Sequence, residues 1–561
     1  MTRIEETSPH WPKANAGALF LWGAFVVDIP PCRVLLSGMT DLILRGGTLY
    51  DGLGGEGRQE DIAVTGDRIT GLGDLSQEAA GRTLDVSGLV VAPGFIDIHT
   101  HSDFSLLINR PMRSSLAQGV TTELVGNCGT SIGLATAEKN FAQERRWAER
   151  GGTVLDWSRM SEYLGRVEDG GLGGNIATLA GHGTIRKAVL GFENRPPTAA
   201  ELARMQAMLS QAMADGAVGL STGLEYLPGG YARHDEVAAL AAVAHQAGGF
   251  YATHIRNEGD TLIESIAEAL RVAETTGIPL QLSHHKSEGR PNWGKPQVTL
   301  PMMARARASG LDVLTDQYPY TAFMTGLSVI LLPHWAKEGA MEDMLARLRD
   351  PSDRARILAG IAAEPWDWNT VQIGVARTRR EVQGKTLATL GASEGKTPAE
   401  SALDLLLDEE GWVSAVHFAM SEEDVEFILS DPHTMIGSDG VANDPASEMA
   451  ADKTHPRTYG TYPRVLARYV RDREVMSLGE AVRRMTSLPA RRLGLADRGT
   501  LRVGAMADIT VFDPKIVQDT ATFDDPHRFP IGIPHVVVNG RLAIENGVQT
   551  DVLSGRVLRR Q

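Results

Sequence analysis

Two histidines separated by one residue, His99 and His101, end an apolar run with the sequence VVAPGFIDIHTH at residues 90–101. The β-branched and apolar residues of this run predict a buried strand. Residues i and i+2 of a strand point to the same face, so two imidazoles at a strand end can hold one metal ion. A histidine near a protein surface is also often an ordinary polar residue, and the pair alone does not establish a metal site.

Further side chains that can bind a metal lie at the ends of other predicted strands. They are Cys128 in GNCG, His254 in THIRNE, His284 in SHHK and Asp439 in GSDG. Four histidines, a cysteine and an aspartate at the strand ends of one domain predict a site for one or two divalent ions. Imidazole and thiolate ligands favour zinc among such ions.

The segment from His284 to Lys286 contains two adjacent histidines, of which a strand directs only one to a given site. Neighbouring residues on a strand point to opposite faces, and residues two apart share a face. We assign His284 as the ligand and His285 to the opposite face, because Lys286 then lies beside the ligand.

Eight strand candidates that alternate with helical patterns position these residues. The candidates span residues 90–101, 121–128, 175–182, 217–226, 249–258, 279–286, 311–320 and 433–440. Eight such units predict an α/β protein built on a (β/α)₈ TIM-like barrel. Chemistry in such barrels takes place at the C-terminal strand ends, which is where the polar residues of these candidates fall.

The remaining segments predict two additions to a barrel at residues 93–496. Short strands with glycine turns at 39–92 and again at 497–550 predict a small β-sandwich domain built from both termini. Residues 331–412 carry their own helical patterns and are too long for a plain βα loop, so they predict an inserted lid subdomain. Residues 1–38 differ in character from the rest and are expected to be a disordered extension or a misassigned start.

Composition limits the classes of partner. The chain has 561 residues and a net charge of −15, which argues against nucleic acid. Its two cysteines, Cys32 and Cys128, fit a reduced, cytoplasmic protein and not a disulfide framework. The apolar stretch at 17–27 is too short to span a membrane, so no membrane partner is expected. Composition does not indicate an oligomeric state.

Several motifs carry a resemblance to known enzymes. GFIDIHTHSD, the histidines of the fifth and sixth strands and the GSDG aspartate resemble the amidohydrolase superfamily. GNCG, LEYLPGGYA, THIRNEG, LQLSHHK, DQYPY and HPRTYGTYPRVL more narrowly resemble the N-acyl-D-amino-acid deacylases, or D-aminoacylases. The resemblance covers roughly Asp41 to Gly547. It implies zinc-dependent hydrolysis of an N-acyl-D-amino acid to a carboxylate and a free D-amino acid, and the preference for the D form rests on it alone.

The resemblance also implies an arrangement of the metal ligands. One tightly held zinc would be bound by Cys128, His254 and His284, and His99 and His101 would complete a weaker second site. Related two-metal amidohydrolases bridge their ions with a carboxylated lysine from the fourth strand, and residues 217–226 contain no lysine. Cys128 fits the family's replacement for that bridge, with its thiolate held deprotonated by the metal. A nucleophilic role for this cysteine is the alternative, and it requires a histidine base free of metal.

A metal-bound water implies partners for its proton and for the substrate. Asp439 would accept the proton and pass it to the leaving amine, although a carboxylate in this position can also be a further ligand. Lys286 and Tyr318 match the family's positions that bind the substrate carboxylate. Arg377, in the insertion, is a third candidate contact. His182, in AGHGT, has no evident metal partner, and we interpret it as a structural or supporting residue.

Two other functions are compatible with parts of the pattern. A cyclic-amide hydrolase of the hydantoinase or dihydropyrimidinase type would be expected to carry a lysine on the fourth strand. A non-catalytic scaffold barrel would be expected to have lost ligands, and all six are present. The preferred side chain is also open. Acidic substrates require an additional cation, which arginines of the insertion could supply, and apolar substrates require an apolar lid such as residues 327–335.

Overall fold

The computed structural model of the chain describes residues 39–134, 139–141, 144–145, 148–149 and 152–560. The predicted extension at residues 1–38 therefore lies outside the described residues. Within the described part of the chain, no helix combines the length and the apolar character needed to cross a membrane.

Eight parallel strands form the central barrel. In chain order they are β1 (Phe95–Asp97), β2 (Val120–Val125), β3 (Asn175–Thr178, continued by Ala180–Gly181), β4 (Gly219–Gly223), β5 (Phe250–His254), β6 (Leu280–Leu282), β7 (Val313–Gln317) and β8 (Thr434–Ile436). Each strand pairs with the next in parallel. A parallel bridge between Thr100 and Gly440 closes the ring beyond β1 and β8. The predicted α/β barrel is confirmed.

The side chains of the strands alternate between two apolar layers. On β5, Tyr251 belongs to the core between strands and outer helices, whereas Ala252 belongs to the core inside the ring. The inner core also contains Ile96, Leu124 and Met435 from other strands. Because both faces are covered, every residue of β2, β4, β5 and β7 is buried, and these strands show no polar–apolar alternation.

Helices connect the strands and cover the barrel. Outside the insertion the α-helices span Arg113–Ala117, Met160–Asp169, His182–Leu190, Ala199–Ala214, His234–Gln246, Leu262–Thr276, Pro296–Ala308, Glu422–Ser430, Arg457–Arg464, Leu478–Met485 and Ser487–Leu493. A π-helical segment, Val465–Asp472, follows Arg457–Arg464. Local sequence fixes their ends: the Thr198 hydroxyl accepts from the amide of Glu201, whose carboxylate accepts from the amide of Thr198 in return.

The apolar run at residues 90–101 divides into strands of two different sheets. Val90–Pro93 belongs to the terminal β-sandwich, and Phe95–Asp97 is the first barrel strand. Gly94 separates them, and a Cβ at Gly94 would lie 2.2 Å from the Thr121 hydroxyl oxygen. Only glycine fits this crossing. The prediction of one continuous strand is wrong here, and both histidines lie beyond the strand end.

The β-sandwich combines strands from both ends of the described chain. Its first sheet has the order Arg68–Gly73, Asp61–Thr65, Thr40–Arg45 and Ala80–Asp85. Its second sheet has the order Val548–Gln549, Arg541–Glu545, His535–Val538, Ile509–Phe512, Val90–Pro93, Thr48–Leu49 and Arg58–Gln59. Leu44, Ile62, Val91, Ile509 and Val537 are buried in one core shared by both sheets. The predicted two-terminus sandwich is confirmed, whereas the exact domain limits 39–92, 93–496 and 497–550 stay a prediction.

A separate unit lies between β7 and β8. It contains an antiparallel sheet of three strands, Phe323–Gly326, Ser414–His417 and Val371–Val375. Its helices span Leu327–Leu331, His334–Lys337, Met341–Arg349, Pro351–Ala362, Leu387–Glu394 and Pro398–Asp408. The unit has its own apolar core and contacts the loop after β4, where the amide of Gly339 donates to the Tyr231 hydroxyl at 3.0 Å. The predicted limits 331–412 fall within this unit and stay a prediction.

Candidate metal centre

The six predicted ligands converge at the C-terminal ends of the barrel strands. His254 is the last residue of β5, and the others follow their strands by two to four residues: His99 and His101 after β1, Cys128 after β2, His284 after β6 and Asp439 after β8. Three groups drawn from these six residues each place their donor atoms within 4.8 Å of one another. The groups are His99, His101 and Cys128; Cys128, His254 and His284; and His99, His284 and Asp439.

Three of these residues have an unusual backbone conformation. The φ angles of Cys128, His284 and Asp439 are 52°, 33° and 51°. A positive φ is uncommon for residues other than glycine, and such strain concentrates at functional sites. Hydrogen bonds hold these turns in place: the amide of His284 donates to Asp316 Oδ1 at 2.8 Å, and the amide of Asp439 donates to the His99 carbonyl at 2.8 Å.

The second group forms a compact, buried set of three donors. His254 Nδ1 lies 2.9 Å from His284 Nε2, which lies 3.4 Å from Cys128 Sγ. His254 Nε2 is 2.8 Å from the Glu225 carboxylate. A neutral imidazole has one N–H, and donation to Glu225 leaves a lone pair on Nδ1 that is directed into the group. Thiolate and imidazole lone pairs that meet in this way fit a zinc ion, with carboxylates behind the histidines to orient them.

His99 and His101 form the other side of the centre. His99 Nε2 lies 3.3 Å from Cys128 Sγ and 3.6 Å from Asp439 Oδ1, and His101 Nε2 lies 3.0 Å from the same Asp439 oxygen. On its outer side, His99 Nδ1 lies 3.1 Å from Asp316. Cys128 Sγ therefore lies between the two halves of the centre, close to a histidine of each.

The local charges favour an anionic sulfur. Burial raises the pKa of the Cys128 thiol, but the charges of His99 and His284 outweigh burial and hold the pKa well below its usual range. Burial lowers the pKa of His254, but Glu258 and Cys128 raise it to about 10. The same negative environment that favours a proton on this imidazole favours a divalent cation beside it.

Asp439 is paired with a buried arginine. Arg457 Nη1 lies 2.8 Å from Asp439 Oδ2, while Oδ1 faces His101 and His99. Burial raises the pKa of Asp439, but the Arg457 charge and the contact with His101 hold it well below its usual range. The carboxylate is therefore ionised near neutral pH and able to accept a proton.

The predicted carboxylate-binding residues lie beside this pair. Lys286 Nζ contacts both carboxylate oxygens of Glu258 at 2.7 Å, and the same Nζ lies 5.7 Å from the Tyr318 ring centroid. The Arg457 guanidinium stacks 4.8 Å from the centroid of the same ring. The Tyr318 hydroxyl is buried and has no hydrogen-bond partner among the described residues. Two cations and a free hydroxyl thus occupy one side of the centre.

Three further residues that the sequence analysis assigned, Arg377, His285 and His182, lie outside the ligand set. Arg377 is not among the residues that line the cavity at the centre, and its guanidinium lies 3.7 Å from Asp452; its role in substrate binding stays a prediction. His285 points away from the centre, with Nε2 2.8 Å from the Thr299 hydroxyl. His182 is fully buried, and its Nε2 lies 2.9 Å from the Glu236 carboxylate. Among the described residues, it forms no hydrogen bond with any of the six ligands.

Sequence reasoning missed three residues of the centre. Glu225, Glu258 and Arg457 contact His254, His284 and Asp439. Each lies in a segment that carries the family resemblance: LEY, THIRNE and HPRTYG. The four-residue spacing of Glu258 after His254 was the available signal for a supporting carboxylate.

A cavity of about 670 Å³ opens from the centre. The residues that line it include His101, Cys128, His254, Lys286, Asp439 and Arg457.

Comparisons with known proteins agree with this geometry. Residues 82–544 match the model of the Amidohydrolase family. The chain is 39% identical over 520 residues to the D-aminoacylase of Alcaligenes xylosoxydans xylosoxydans, covering 93% of this chain and 98% of that protein. It is similar to the crystal structure of the N-acyl-D-glutamate deacylase from Bordetella bronchiseptica in complex with zinc and a phosphonate inhibitor, with 36% identity, a TM-score of 0.79 and coverage of 93% and 100%. It is also similar to a D-aminoacylase structure from work on the binuclear metal centre of that enzyme, with 36% identity, a TM-score of 0.78 and the same coverage.

Proposed function

Because the chain belongs to the amidohydrolase family, we propose that it is a zinc-dependent deacylase that hydrolyses N-acyl-D-amino acids to a carboxylate and a free D-amino acid. One observation carries the proposal: the donor atoms of Cys128, His254 and His284 meet within 4.8 Å of one another at the barrel mouth. The D-aminoacylase and the N-acyl-D-glutamate deacylase to which the chain is similar support the substrate class.

Cys128, His254 and His284 would hold the tightly bound zinc, and His99 and His101 would form a second, weaker site that shares Cys128. Bound zinc lowers the pKa of a water molecule and polarises the amide carbonyl. Glu225 and Glu258 orient the two imidazoles of the first site through the ring nitrogens that face away from Cys128.

Asp439 is the proposed general base and general acid. Its Oδ1 faces the histidines of the centre, where the attacking water would lie, and its Oδ2 is held by Arg457. The carboxylate accepts a proton from the water and then donates that proton to the nitrogen of the leaving amine. Arg457 keeps the carboxylate ionised before the reaction and fixes its orientation.

Lys286, Tyr318 and Arg457 are the proposed partners of the substrate α-carboxylate. They are the cations and the unpartnered hydroxyl on one side of the centre, and all three side chains are buried. A carboxylate bound there is held by charge-assisted hydrogen bonds at a fixed distance from the ligands. This placement orients the nitrogen and the carbonyl group of the scissile amide toward Asp439 and the metal ligands.

No observation favours hydrolysis of a cyclic amide. The fourth barrel strand, Gly219–Gly223, contains no lysine that could be carboxylated to bridge two ions. Cys128 Sγ occupies the shared position between the two halves of the centre. A scaffold protein without activity also gains no support, because all six ligands converge in the structure.

A paired substrate panel tests the proposal. N-acetyl-D-methionine, N-acetyl-D-leucine and N-acetyl-D-glutamate are assayed beside their L counterparts, with the enzyme as purified, after chelator treatment, and after zinc is restored. We expect hydrolysis of D substrates that chelation abolishes and zinc restores. Equal rates on both enantiomers, or full activity in enzyme shown by metal analysis to contain no metal, would contradict the proposal.

A further inference from the structure

A second cavity of about 300 Å³ adjoins the cavity at the metal centre. Apolar side chains form much of its wall, including Ile132, Leu227, Val329, Met341, Met344 and Trp412. Both cavities are lined by Cys128, Thr130, Glu225, Tyr226, Val329 and Lys337. Among the described residues, Lys337 is the cationic side chain common to the two linings. It therefore marks the passage from the metal centre into the apolar cavity.

Lys337 differs from the other cations of these cavities in its charge balance. Lys187 is paired with Glu144, Lys286 with Glu258 and Arg457 with Asp439. Lys337 Nζ donates to the Val329 carbonyl at 3.2 Å, but no carboxylate oxygen of the described residues lies within 4.0 Å of it. A partly buried ammonium group has a desolvation cost that a carbonyl offsets only in part.

The electrostatic surroundings of Lys337 agree with an uncompensated charge. Burial lowers the pKa of its ammonium group, and the more distant carboxylates of Glu225 and Glu288 do not fully oppose that effect. Glu225 is already in contact with His254, and Glu288 lies 3.6 Å from His417. An anion bound at Lys337 would complete its charge balance.

The backbone on both sides of Lys337 is held in place. Arg347 Nη1 donates to the carbonyl of Ala336 at 3.2 Å and to the carbonyl of Glu338 at 2.5 Å. The amide of Gly339 donates to the Tyr231 hydroxyl, and Ala336 is fully buried. The segment is thus tied both to its own unit and to the barrel. A cation on a fixed segment binds an anion with little loss of conformational entropy.

From this arrangement we propose that Lys337 binds a second carboxylate of the substrate and makes the enzyme selective for N-acyl-D-amino acids that carry two carboxylates. The inference rests on the proposed function, in which Lys286, Tyr318 and Arg457 take the α-carboxylate. The second carboxylate has two chemical sources: the side chain of an acidic amino acid, or the far end of a dicarboxylic acyl group. In both cases the apolar wall contacts the intervening methylene groups.

Three substrates separate these sources. N-acetyl-D-glutamate carries the second carboxylate on the amino acid, N-succinyl-D-methionine carries it on the acyl group, and N-acetyl-D-methionine has none. We expect Lys337→Met to lower kcat/KM for at least one dicarboxylate roughly ten- to hundredfold, the usual effect of losing a charge-assisted hydrogen bond. The value for N-acetyl-D-methionine should change less than about threefold. The substrate that responds identifies the source.

Two further variants control the experiment. Lys337→Arg keeps the positive charge and should retain more dicarboxylate activity than Lys337→Met. Lys515→Met removes an exposed lysine and should leave all three substrates unchanged. An equal loss for all three substrates in Lys337→Met, or no loss for either dicarboxylate, would overturn the inference. Thermal unfolding of each variant shows whether an equal loss reflects misfolding, in which case Lys337→Arg and the binding measurement decide.

The binding measurement also separates this inference from the proposed function. Calorimetric titration of the zinc-loaded protein with glutarate compares the wild type with Lys337→Met and Lys337→Arg. Weaker binding to Lys337→Met alone supports the role of Lys337, and equal affinity for all three proteins overturns it. If the wild type hydrolyses none of the three substrates, the proposed function fails, and the titration still decides whether Lys337 binds a carboxylate.

Discussion

Arg457 and Asp439 form a largely buried ion pair at the mouth of the barrel, with Arg457 Nη1 2.8 Å from Asp439 Oδ2. The two residues come from different elements, since Asp439 follows β8 and Arg457 begins a later helix. The pair leaves the other carboxylate oxygen facing the metal ligands. Arg457 thus controls both the orientation and the charge of the proposed base.

Replacement of Arg457 by methionine should raise the pKa of Asp439. The arginine charge favours the ionised carboxylate, so without it Asp439 takes up its proton at a higher pH. Catalysis requires the ionised form, and the acidic limb of the pH profile of kcat/KM should therefore shift to higher pH. We also expect kcat to fall roughly hundredfold. Arg491→Met, which removes an exposed arginine, serves as the control. An unshifted acidic limb would contradict this role.

Removal of the Cys128 sulfur should release zinc from the protein. Cys128 Sγ is shared by both halves of the centre, so Cys128→Ala removes a donor from each. Metal analysis after dialysis should show a loss of bound zinc together with activity, while the wild type retains its zinc. Zinc retained at the wild-type level in an inactive Cys128→Ala protein would instead favour the nucleophile alternative.

The Glu225→Gln substitution should weaken zinc binding without removing a ligand. The Glu225 carboxylate accepts from His254 Nε2 at 2.8 Å and fixes the tautomer that directs Nδ1 into the centre. Loss of such a supporting carboxylate typically lowers metal affinity about 10- to 100-fold. Competition with a chromophoric chelator measures this affinity directly. The control Glu264→Gln, on an exposed helix face, should bind zinc as tightly as the wild type. Wild-type zinc affinity in Glu225→Gln would show that Glu225 has no orienting role.

A buried ion cluster away from the centre should govern acid stability. Glu236 contacts His182 at 2.9 Å and forms a close ion pair with Arg186, and all three side chains are buried. Burial raises the pKa of Glu236, but hydrogen bonds and charges from His182 and Arg186 outweigh burial and lower it. A carboxyl group with a lowered pKa in the folded state stabilises the protein above its unfolded pKa, and this contribution is lost as the pH falls.

Glu236→Gln should therefore lower the free energy of unfolding by about 3 kcal/mol near pH 7, the cost of leaving a buried partner unpaired. The difference from the wild type should shrink as the pH falls below about 4.5, because the Glu236 carboxyl group then takes up a proton in the unfolded state, and at still lower pH in the folded state as well. Urea unfolding at several pH values measures both effects. The exposed Glu274→Gln is the matched control, and a difference that does not depend on pH would contradict the electrostatic explanation.

The barrel and the convergence of the six ligands could both be predicted from the sequence, and for the same physical reason. Parallel strands bring their C-terminal ends to one face, so His254 and Cys128, 126 positions apart by their numbers, are neighbours in any closed ring. The strand division at Gly94 was not predictable from the apolar pattern, because apolar residues continue directly on both sides of Gly94. It depends on the close contact with Thr121, which only the folded structure defines.

Supporting residues were harder to predict than ligands. Arg457 lies on a helix after the barrel and not at a strand end, so strand periodicity gave no signal for it. Arg377 was assigned from its presence in the insertion, but the position of an inserted unit over a barrel depends on tertiary contacts such as Gly339 with Tyr231. Lys337 likewise could not be distinguished from any exposed lysine until its lack of a carboxylate partner among the described residues was visible.

The junction at Gly94 ties the centre to strands that are distant from it in the sequence. Val90–Pro93 pairs with Ile509–Phe512, and the bridge between Ile176 and Val557 adds the far C-terminal segment to the edge of β3. The strand that leads to His99 is therefore held between Thr48–Leu49 on one side and Ile509–Phe512 on the other. The position of the turn that carries His99 and His101 thus depends on strand pairs outside the barrel, and a change that loosens the sandwich should also disturb the ligand set.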